Sequence, residues 1–187
     1  MKYKIKKIFY IVCGVLGLTS VVLADTGVDD KTVSQSFKVQ AEIIKGCLLG
    51  SGGSDTSSFG TISFGNVSLL NQNKDVISSN NAGSIIVKCT PGINVTISLS
   101  SGVNNSGSIA NGRLLKNTNT NEILSYQLFQ DANFSSIWGN GSNGGSSKTI
   151  SSSGTTESYP IYARLLAAST MPSVGTYTDT VTVTISY

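Results

Sequence analysis

Histidine is absent from this 187-residue chain. Imidazole serves as the base in Ser-His-Asp and Cys-His arrangements and is a common metal ligand, so catalytic schemes and metal sites that need it are excluded. Charged residues are also scarce, at 12% of the chain. Beyond residue 24, no apolar run reaches the length of about 18 residues that a membrane-spanning helix requires.

Hydroxyl and amide side chains are abundant instead. Ser (30), Thr (18) and Asn (15) make up about a third of the chain, and Gly adds 20 residues. These residue types favour turns and caps over helix interiors, so the composition is typical of short strands joined by polar turns. We expect an all-β exported protein.

The amino-terminal residues have the pattern of a signal peptide. Lys2, Lys4, Lys6 and Lys7 precede an apolar run over residues 8–23, and Ala24 offers a small residue for cleavage. The alternative is an uncleaved membrane anchor, for which the run is short. Cleavage after Ala24 leaves 187 − 24 = 163 residues with 13 − 4 = 9 basic and 10 acidic groups. The exported chain then has no basic excess with which to bind nucleic acid.

Two cysteines remain after that cleavage, because Cys13 lies in the apolar run. Cys47 and Cys89 are expected to form a disulfide, since exported proteins fold in an oxidising compartment. The alternatives are two buried free thiols, or a metal site that lacks further ligands. A disulfide would close the loop between these two cysteines. By restricting the unfolded chain, it would raise the free energy of unfolding by about 4 kcal/mol.

Alternating apolar residues predict a series of strands. The longest alternation covers residues 33–43 and predicts one long strand with a buried face, made of Val33, Gln35, Phe37, Val39, Ala41 and Ile43. Shorter runs at residues 59–70, 84–89, 93–99, 123–130 and 159–166 lie between turn signals. This spacing favours a β-sandwich.

The last thirteen residues predict an unprotected edge. One face of residues 175–187 carries Tyr177, Val181, Val183, Ile185 and Tyr187, interrupted by Asp179, and the other face is Thr and Ser. An apolar strand at the end of the chain offers its outer edge to another chain. Residues 33–43 could supply that strand to a second copy, which is donor-strand complementation. The alternative is that they pair within their own domain and the protein is a monomer.

Several motifs together resemble a known family. They are the FG-x-x-x-FG signature at residues 59–65, the Cys47 and Cys89 pair, LSYQLFQD at residues 124–131, Trp138-Gly139, and the terminal GTYTDTVTVTISY. Together they resemble the spore coat protein U domain, which is the pilin domain of archaic, Csu-type chaperone-usher fimbriae. The resemblance implies an incomplete immunoglobulin-like β-sandwich that lacks its C-terminal strand and is completed by donor-strand exchange.

The resemblance also implies a role and partners. The chain would be a shaft or adapter pilin, exported to the periplasm and then to the cell surface, where the fimbrium supports adhesion and biofilm formation. A periplasmic chaperone, an outer-membrane usher and neighbouring pilin subunits would be its partners. Residues 25–37 would form the donor extension and residues 38–187 the pilin domain. The donor residues would be Val33, Gln35, Phe37 and Val39, and the groove edge would be Tyr177, Val181, Val183, Ile185 and Tyr187.

Two other classes of function stay open from the sequence. A secreted monomeric β-sandwich that binds a glycan or a surface would expose an aromatic patch, for which Trp138 and the tyrosines are candidates. A glycosidase would need paired carboxylates, but Asp55, Asp75, Glu122, Asp131, Glu157 and Asp179 are scattered over turns and strand ends. We therefore expect no catalytic site, metal, cofactor or small-molecule substrate.

Overall fold

The computed structural model describes Thr32, residues 34–50 and residues 53–187. Every regular element in this part of the chain is a β-strand, and no helix long and apolar enough to cross a membrane occurs in it. The strands are β1 Cys47–Leu49, β2 Lys74–Ile77, β3 Ile85–Cys89, β4 Asn94–Leu99, β5 Arg113–Asn117, β6 Ile123–Phe129, β7 Lys148–Ser151, β8 Glu157–Tyr159, β9 Tyr162–Leu165, β10 Tyr177–Thr178 and β11 Val183–Ser186.

These strands form three sheets in which every ladder is antiparallel. The strand orders are β1-β3-β8, β10-β5-β6-β9-β2 and β11-β4-β7. Strand β4 shows why the sheets pack, because Val95, Ile97 and Leu99 are fully buried while the residues between them are not. Such alternation gives a sheet one apolar face that must be covered.

One hydrophobic core joins all three sheets. Strands β3 and β4 of the small sheets and β6 and β9 of the five-stranded sheet contribute buried side chains to a single cluster. A core shared in this way defines a sandwich-like arrangement, with the five-stranded sheet packed against the two three-stranded sheets. The expected all-β fold is confirmed.

The apolar runs predicted most of the core strands. Those at residues 84–89, 93–99 and 123–130 correspond to β3, β4 and β6. The run at residues 159–166 is broken into β8 and β9 around Pro160, which has no N–H to donate to a ladder. The strand predicted over residues 59–70 is wrong, because only an isolated bridge from Gly60 to Ala82 forms there.

The residues of that run fill the core without forming a strand. Phe59, Ile62 and Phe64 are half-buried against the central cluster. Gly60, in the first FG of the signature, has a φ of 88°, and a Cβ at this position would lie 1.9 Å from the carbonyl oxygen of Asn81. The glycine is therefore required by both its backbone conformation and the close approach of another loop.

The predicted disulfide between Cys47 and Cys89 is confirmed. It links β1 to β3 at a position where the two cysteines face each other in the ladder. Beside it, the amide of Thr90 donates to the carbonyl of Gly46 at 2.9 Å, and the amide of Gly46 donates to the Thr90 hydroxyl at 3.0 Å. The start of β1 is thus held by one covalent bond and two hydrogen bonds.

Four scattered carboxylates each fix a local structure. Asp75 forms a bidentate ion pair with Arg164 at 2.7 and 2.8 Å. Asp131 accepts hydrogen bonds from three amides and one hydroxyl of its own loop, at residues 133–136. Glu122 and Glu157 accept from serine and tyrosine side chains nearby. Each carboxylate has its own hydrogen-bond partners, so the four have separate structural roles.

Acid should therefore destabilise the protein. Hydrogen bonds hold the pKa values of Glu122, Asp131 and Glu157 below their usual values, and the Arg164 guanidinium does so for Asp75. Native values below unfolded ones give stability that is present above pH about 4 and lost as the pH falls below it. Thermal unfolding followed from pH 6 to pH 2 should show a midpoint that drops steadily below pH about 4. A midpoint that stays level through this range would contradict the assignment.

Candidate strand-exchange site

The outer edge of β11 has no strand partner within the described residues, since β11 pairs only with β4. Thr182 marks the register, because its carbonyl accepts from the amide of Ser100 and its amide donates to the Ser100 hydroxyl, both at 2.9 Å. Backbone groups of an antiparallel strand alternate in direction. The amides and carbonyls of Val183 and Ile185 therefore point away from β4, toward the open edge.

The side chains of β11 alternate in the same way. Val181, Val183 and Ile185 are half-buried and pack against the central core, while the threonines between them are exposed. The residues that offer backbone groups at the open edge thus also border the apolar interior. Tyr187 is 56% exposed.

The outward face of β11 carries no charge that would discourage pairing. Its residues are Thr184 and Ser186, with Thr182 immediately before the strand, and all three are exposed. Natural edge strands are usually protected from other chains by charged residues, prolines or bulges. An uncharged hydroxyl face leaves this edge free to accept another strand.

Tyr177 lies in a different sheet from the other predicted edge residues. The carboxyl-terminal segment is divided, with Tyr177 in β10 of the five-stranded sheet and Val183 and Ile185 in β11. The Tyr177 hydroxyl donates to Glu122 at 2.6 Å. The structure therefore brings Val181, Val183 and Ile185 together but not Tyr177.

The described part of the predicted donor segment forms no strand. The first strand of the chain that the structure describes begins at Cys47, so the strand predicted over residues 33–43 is not formed at residues 34–43. An extended segment becomes a strand only when a ladder partner is present. Val33 and the predicted signal peptide of residues 1–24 lie outside the described residues.

Every residue from 34 to 45 is exposed, including the large apolar side chains of this segment and the neighbouring Ile44. Phe37 is 87% exposed, Val39 81% and Ile43 84%, and Gln35 is exposed as well. Single exposed apolar residues are ordinary, but several together are typical of a surface that binds another molecule. One compact unit spans Ile43–Tyr187, and the described residues 34–42 are not part of it.

Trp138 is not available as a binding platform. Its side chain is fully buried, and its indole nitrogen donates to the carbonyl of Ile97 at 3.2 Å. In the part of the chain that the structure describes, no three acidic or cysteine side chains are placed to hold a metal ion. The surface aromatic patch expected of a glycan-binding module is therefore not built on the tryptophan.

Sequence reasoning missed one buried charged residue near this site. Arg113 is fully buried at the start of β5, where its guanidinium donates to two backbone carbonyls and to Gln127. In the sequence, Arg113 only precedes two apolar residues. A prediction from alternation assigns such a charged residue to an exposed face.

Solved structures show limited similarity to this chain. The first is the CsuC-CsuE chaperone-tip adhesion subunit pre-assembly complex from archaic chaperone-usher Csu pili of Acinetobacter baumannii, at 22% identity and a TM-score of 0.47. The second is a chaperone-tip adhesin complex of CFA/I fimbriae, at 15% identity and a TM-score of 0.37. The matches cover 78% and 75% of this chain but 40% and 41% of those chains. At these TM-scores neither similarity supports a statement about this chain.

The family assignment depends on the sequence match. No curated protein matches the chain. The family model of the Spore Coat Protein U domain matches residues 33–184, which include the disulfide and the first two residues of β11. The chain therefore belongs to the Spore Coat Protein U domain family.

Proposed function

We propose that the protein is a structural subunit of a surface fimbrium, as a shaft or adapter pilin, and that its copies join by donor-strand complementation. The observation that carries this proposal is the pairing of two features in one chain. Strand β11 has an open edge beside the core, and the segment before β1 exposes Phe37 and Val39 at alternate positions. Family membership supports the same role.

The proposed joint is formed when the donor segment of one copy lies along β11 of the next. Its backbone pairs with the amides and carbonyls of Val183 and Ile185, and its alternate side chains enter the apolar interior. Burial of Phe37 and Val39 contributes about 1.5 to 3 kcal/mol for each side chain, before the ladder hydrogen bonds. Val33 and Gln35 would lie on the same face of the donated strand.

This joint generates a fibre. Each copy donates one segment and accepts another, so the contact is head-to-tail and leaves a free donor and a free acceptor at the ends. Before assembly, the same edge would bind a strand of a periplasmic chaperone, which delivers the subunit to an outer-membrane usher. Residues 1–24 would direct export, and the assembled fibre would support adhesion and biofilm formation at the cell surface.

Mixing two variants tests this arrangement. Val39→Asp places a charge on the donor segment, and Ile185→Asp places one beside the acceptor edge. Neither variant alone should form fibres, because a charge would be buried without a partner in every joint. An equimolar mixture should form heterodimers, since the intact donor of the Ile185→Asp chain can bind the intact acceptor of the Val39→Asp chain.

Native mass spectrometry of the two chains and of their mixture gives the masses directly. The matched control for Ile185→Asp is Thr184→Asp, which adds the same charge to the exposed face of β11 and should still polymerise. Heterodimers from the mixture, with fibres from the control, support donor exchange. A mixture that stays monomeric, or fibres from either single variant, would reject it.

A further inference from the structure

The carboxyl-terminal segment leaves one sheet and enters another between Thr178 and Val183. Strand β10 pairs with β5, and β11 pairs with β4 in a different sheet. The four residues between them therefore set the register in which β11 reaches β4. A slip by one residue would turn Val183 and Ile185 from the core to solvent, because side chains alternate along a strand.

Asp179 lies at this crossing and is held on both carboxylate oxygens. Its Oδ1 accepts from the amides of Val103 and Asn104 at 2.9 and 3.2 Å, and from the side-chain amide of Asn104 at 3.2 Å. Its Oδ2 accepts from the hydroxyl of Tyr126, in β6, at 2.7 Å. Burial, followed by the hydrogen bond to Asp179, raises the pKa of Tyr126 well above its usual value, so the hydroxyl stays a donor.

The loop that binds Asp179 is shaped for this carboxylate. Gly102 has a φ of 91°, and a Cβ built at this position would lie 2.0 Å from Oδ2 of Asp179. Asn104 extends the contact, because its side-chain amide also donates to the carbonyls of Leu114 and Thr178 at 3.1 and 2.8 Å. Asp179 thus connects the crossing directly to β6 and to the loop after β4. Asn104 continues this connection to β5.

Arg113 holds the other end of the crossing. Its guanidinium donates to the carbonyl of Ser100 from Nε and Nη2, at 3.1 and 2.8 Å, and to the carbonyl of Trp138 at 2.7 Å. Ser100 is the residue whose amide and hydroxyl bind Thr182 at the start of the β11 ladder. The arginine therefore fixes the carbonyl of Ser100, the residue that binds Thr182 immediately before β11.

The charge of Arg113 is buried inside the fold. All acceptors of its hydrogen bonds are neutral, and burial lowers its pKa to about 10. Charge interactions with Tyr126 and then with Asp179 act on this pKa in the opposite direction. A charge buried in this way depends on its hydrogen bonds, so losing the forked contact with Ser100 is costly.

We propose that Asp179 and Arg113 are positioning residues for the acceptor edge, and that they hold β11 in the register that presents Val183 and Ile185 to a donated strand. This inference rests on the proposed function, since it assigns a purpose to the same edge. It assigns no contact between either residue and the donor.

Hydrogen exchange tests the inference by separating local from global loosening. In a chain of residues 25–187, Asp179→Asn and Arg113→Lys should each speed the exchange of amides in residues 180–187 by about tenfold relative to those in β3, because local opening becomes easier. Arg113→Lys keeps the charge but loses the forked contact with Ser100. Mass spectrometry of the two peptides, with all chains in the same assembly state, gives the ratio.

The matched control is Asp131→Asn, which removes a carboxylate that also accepts four hydrogen bonds but lies in another loop. It should leave the ratio unchanged. If Asp179→Asn does not fold, Tyr126→Phe removes one donor and keeps the ring, and it should raise the ratio in the same direction. Equal acceleration in both peptides, or the same response in the control, would overturn the inference. Because all chains are compared in one assembly state, failure of the proposed function would appear separately, as wild-type protein that forms no fibres.

Discussion

Replacing Val39 by aspartate is expected to abolish fibre formation without lowering the yield of folded subunit. Val39 is 81% exposed in the single chain. The aspartate carboxylate would therefore be solvated there, and we expect the fold to be unaffected. In the proposed joint the same side chain enters the apolar interior, where an unpaired carboxylate costs several kcal/mol and the apolar contribution of the valine is lost as well. Together these terms strongly disfavour the joint.

The control for this prediction is Gln40→Asp, one residue further along. Gln40 is also exposed, but in an extended segment it lies on the face opposite Val39. Fibre yield by electron microscopy, together with the amount of subunit recovered in soluble form, separates assembly from folding. Normal fibres from Val39→Asp would reject the proposed donor face, and loss of fibres from both variants would show that any charge in the segment blocks assembly.

Replacing Cys47 by serine should have the second largest effect, and it should act on the subunit before the fibre. The disulfide joins residues 42 apart in sequence and fastens β1 to β3. Removing a native disulfide from a small exported domain costs about 2 to 5 kcal/mol, which is a large part of the stability of such a domain. We expect the yield of soluble subunit to fall severalfold, while fibres that do form keep their normal appearance.

Comparison with Cys89→Ser and with the double variant defines the mechanism. If the disulfide is the whole cause, both single variants and the double variant should give the same yield, because each removes the same bond. Yield can be measured by quantitative immunoblot of the soluble fraction, with urea unfolding of what is recovered. A Cys47→Ser chain as stable as the wild type would contradict the prediction.

The core strands could be predicted from the sequence because burial leaves a period of two. Strand β4 alternates fully buried and less buried residues, and its apolar run has nearly the bounds of the strand. The disulfide could be predicted because only two cysteines follow the predicted signal peptide. The alternation of β11 was visible for the same reason, since Val183 and Ile185 face the core.

Polar strands could not be predicted in this way. Strands β2 (KDVI) and β7 (KTIS) lie at sheet edges, where charges are favoured and apolar alternation is weak. Strand β5 was missed because Arg113 and Asn117 are buried within it, and a polar residue inside the fold breaks the pattern. Burial of these groups depends on tertiary partners that no local window contains.

The change of sheet between β10 and β11 was also not predictable. Residues 177–187 alternate without a break except at Asp179, so the pattern indicates one continuous strand. The bend depends on acceptors and donors from distant residues, including Tyr126 and Asn104. Within the pattern, the isolated aspartate on an apolar face was the only sign of it.

The most direct test of strand donation compares a chain of residues 25–187 (the full chain) with a chain of residues 38–187 (the truncated chain). Light scattering gives the mass of each in solution, and electron microscopy shows whether fibres are present. The account predicts detergent-resistant polymers from the full chain and none from the truncated chain, whose acceptor edge is intact but which has lost Phe37 and the residues before it. A full chain that stays a stable monomer, or a truncated chain that polymerises as well as the full one, would contradict strand donation by this segment.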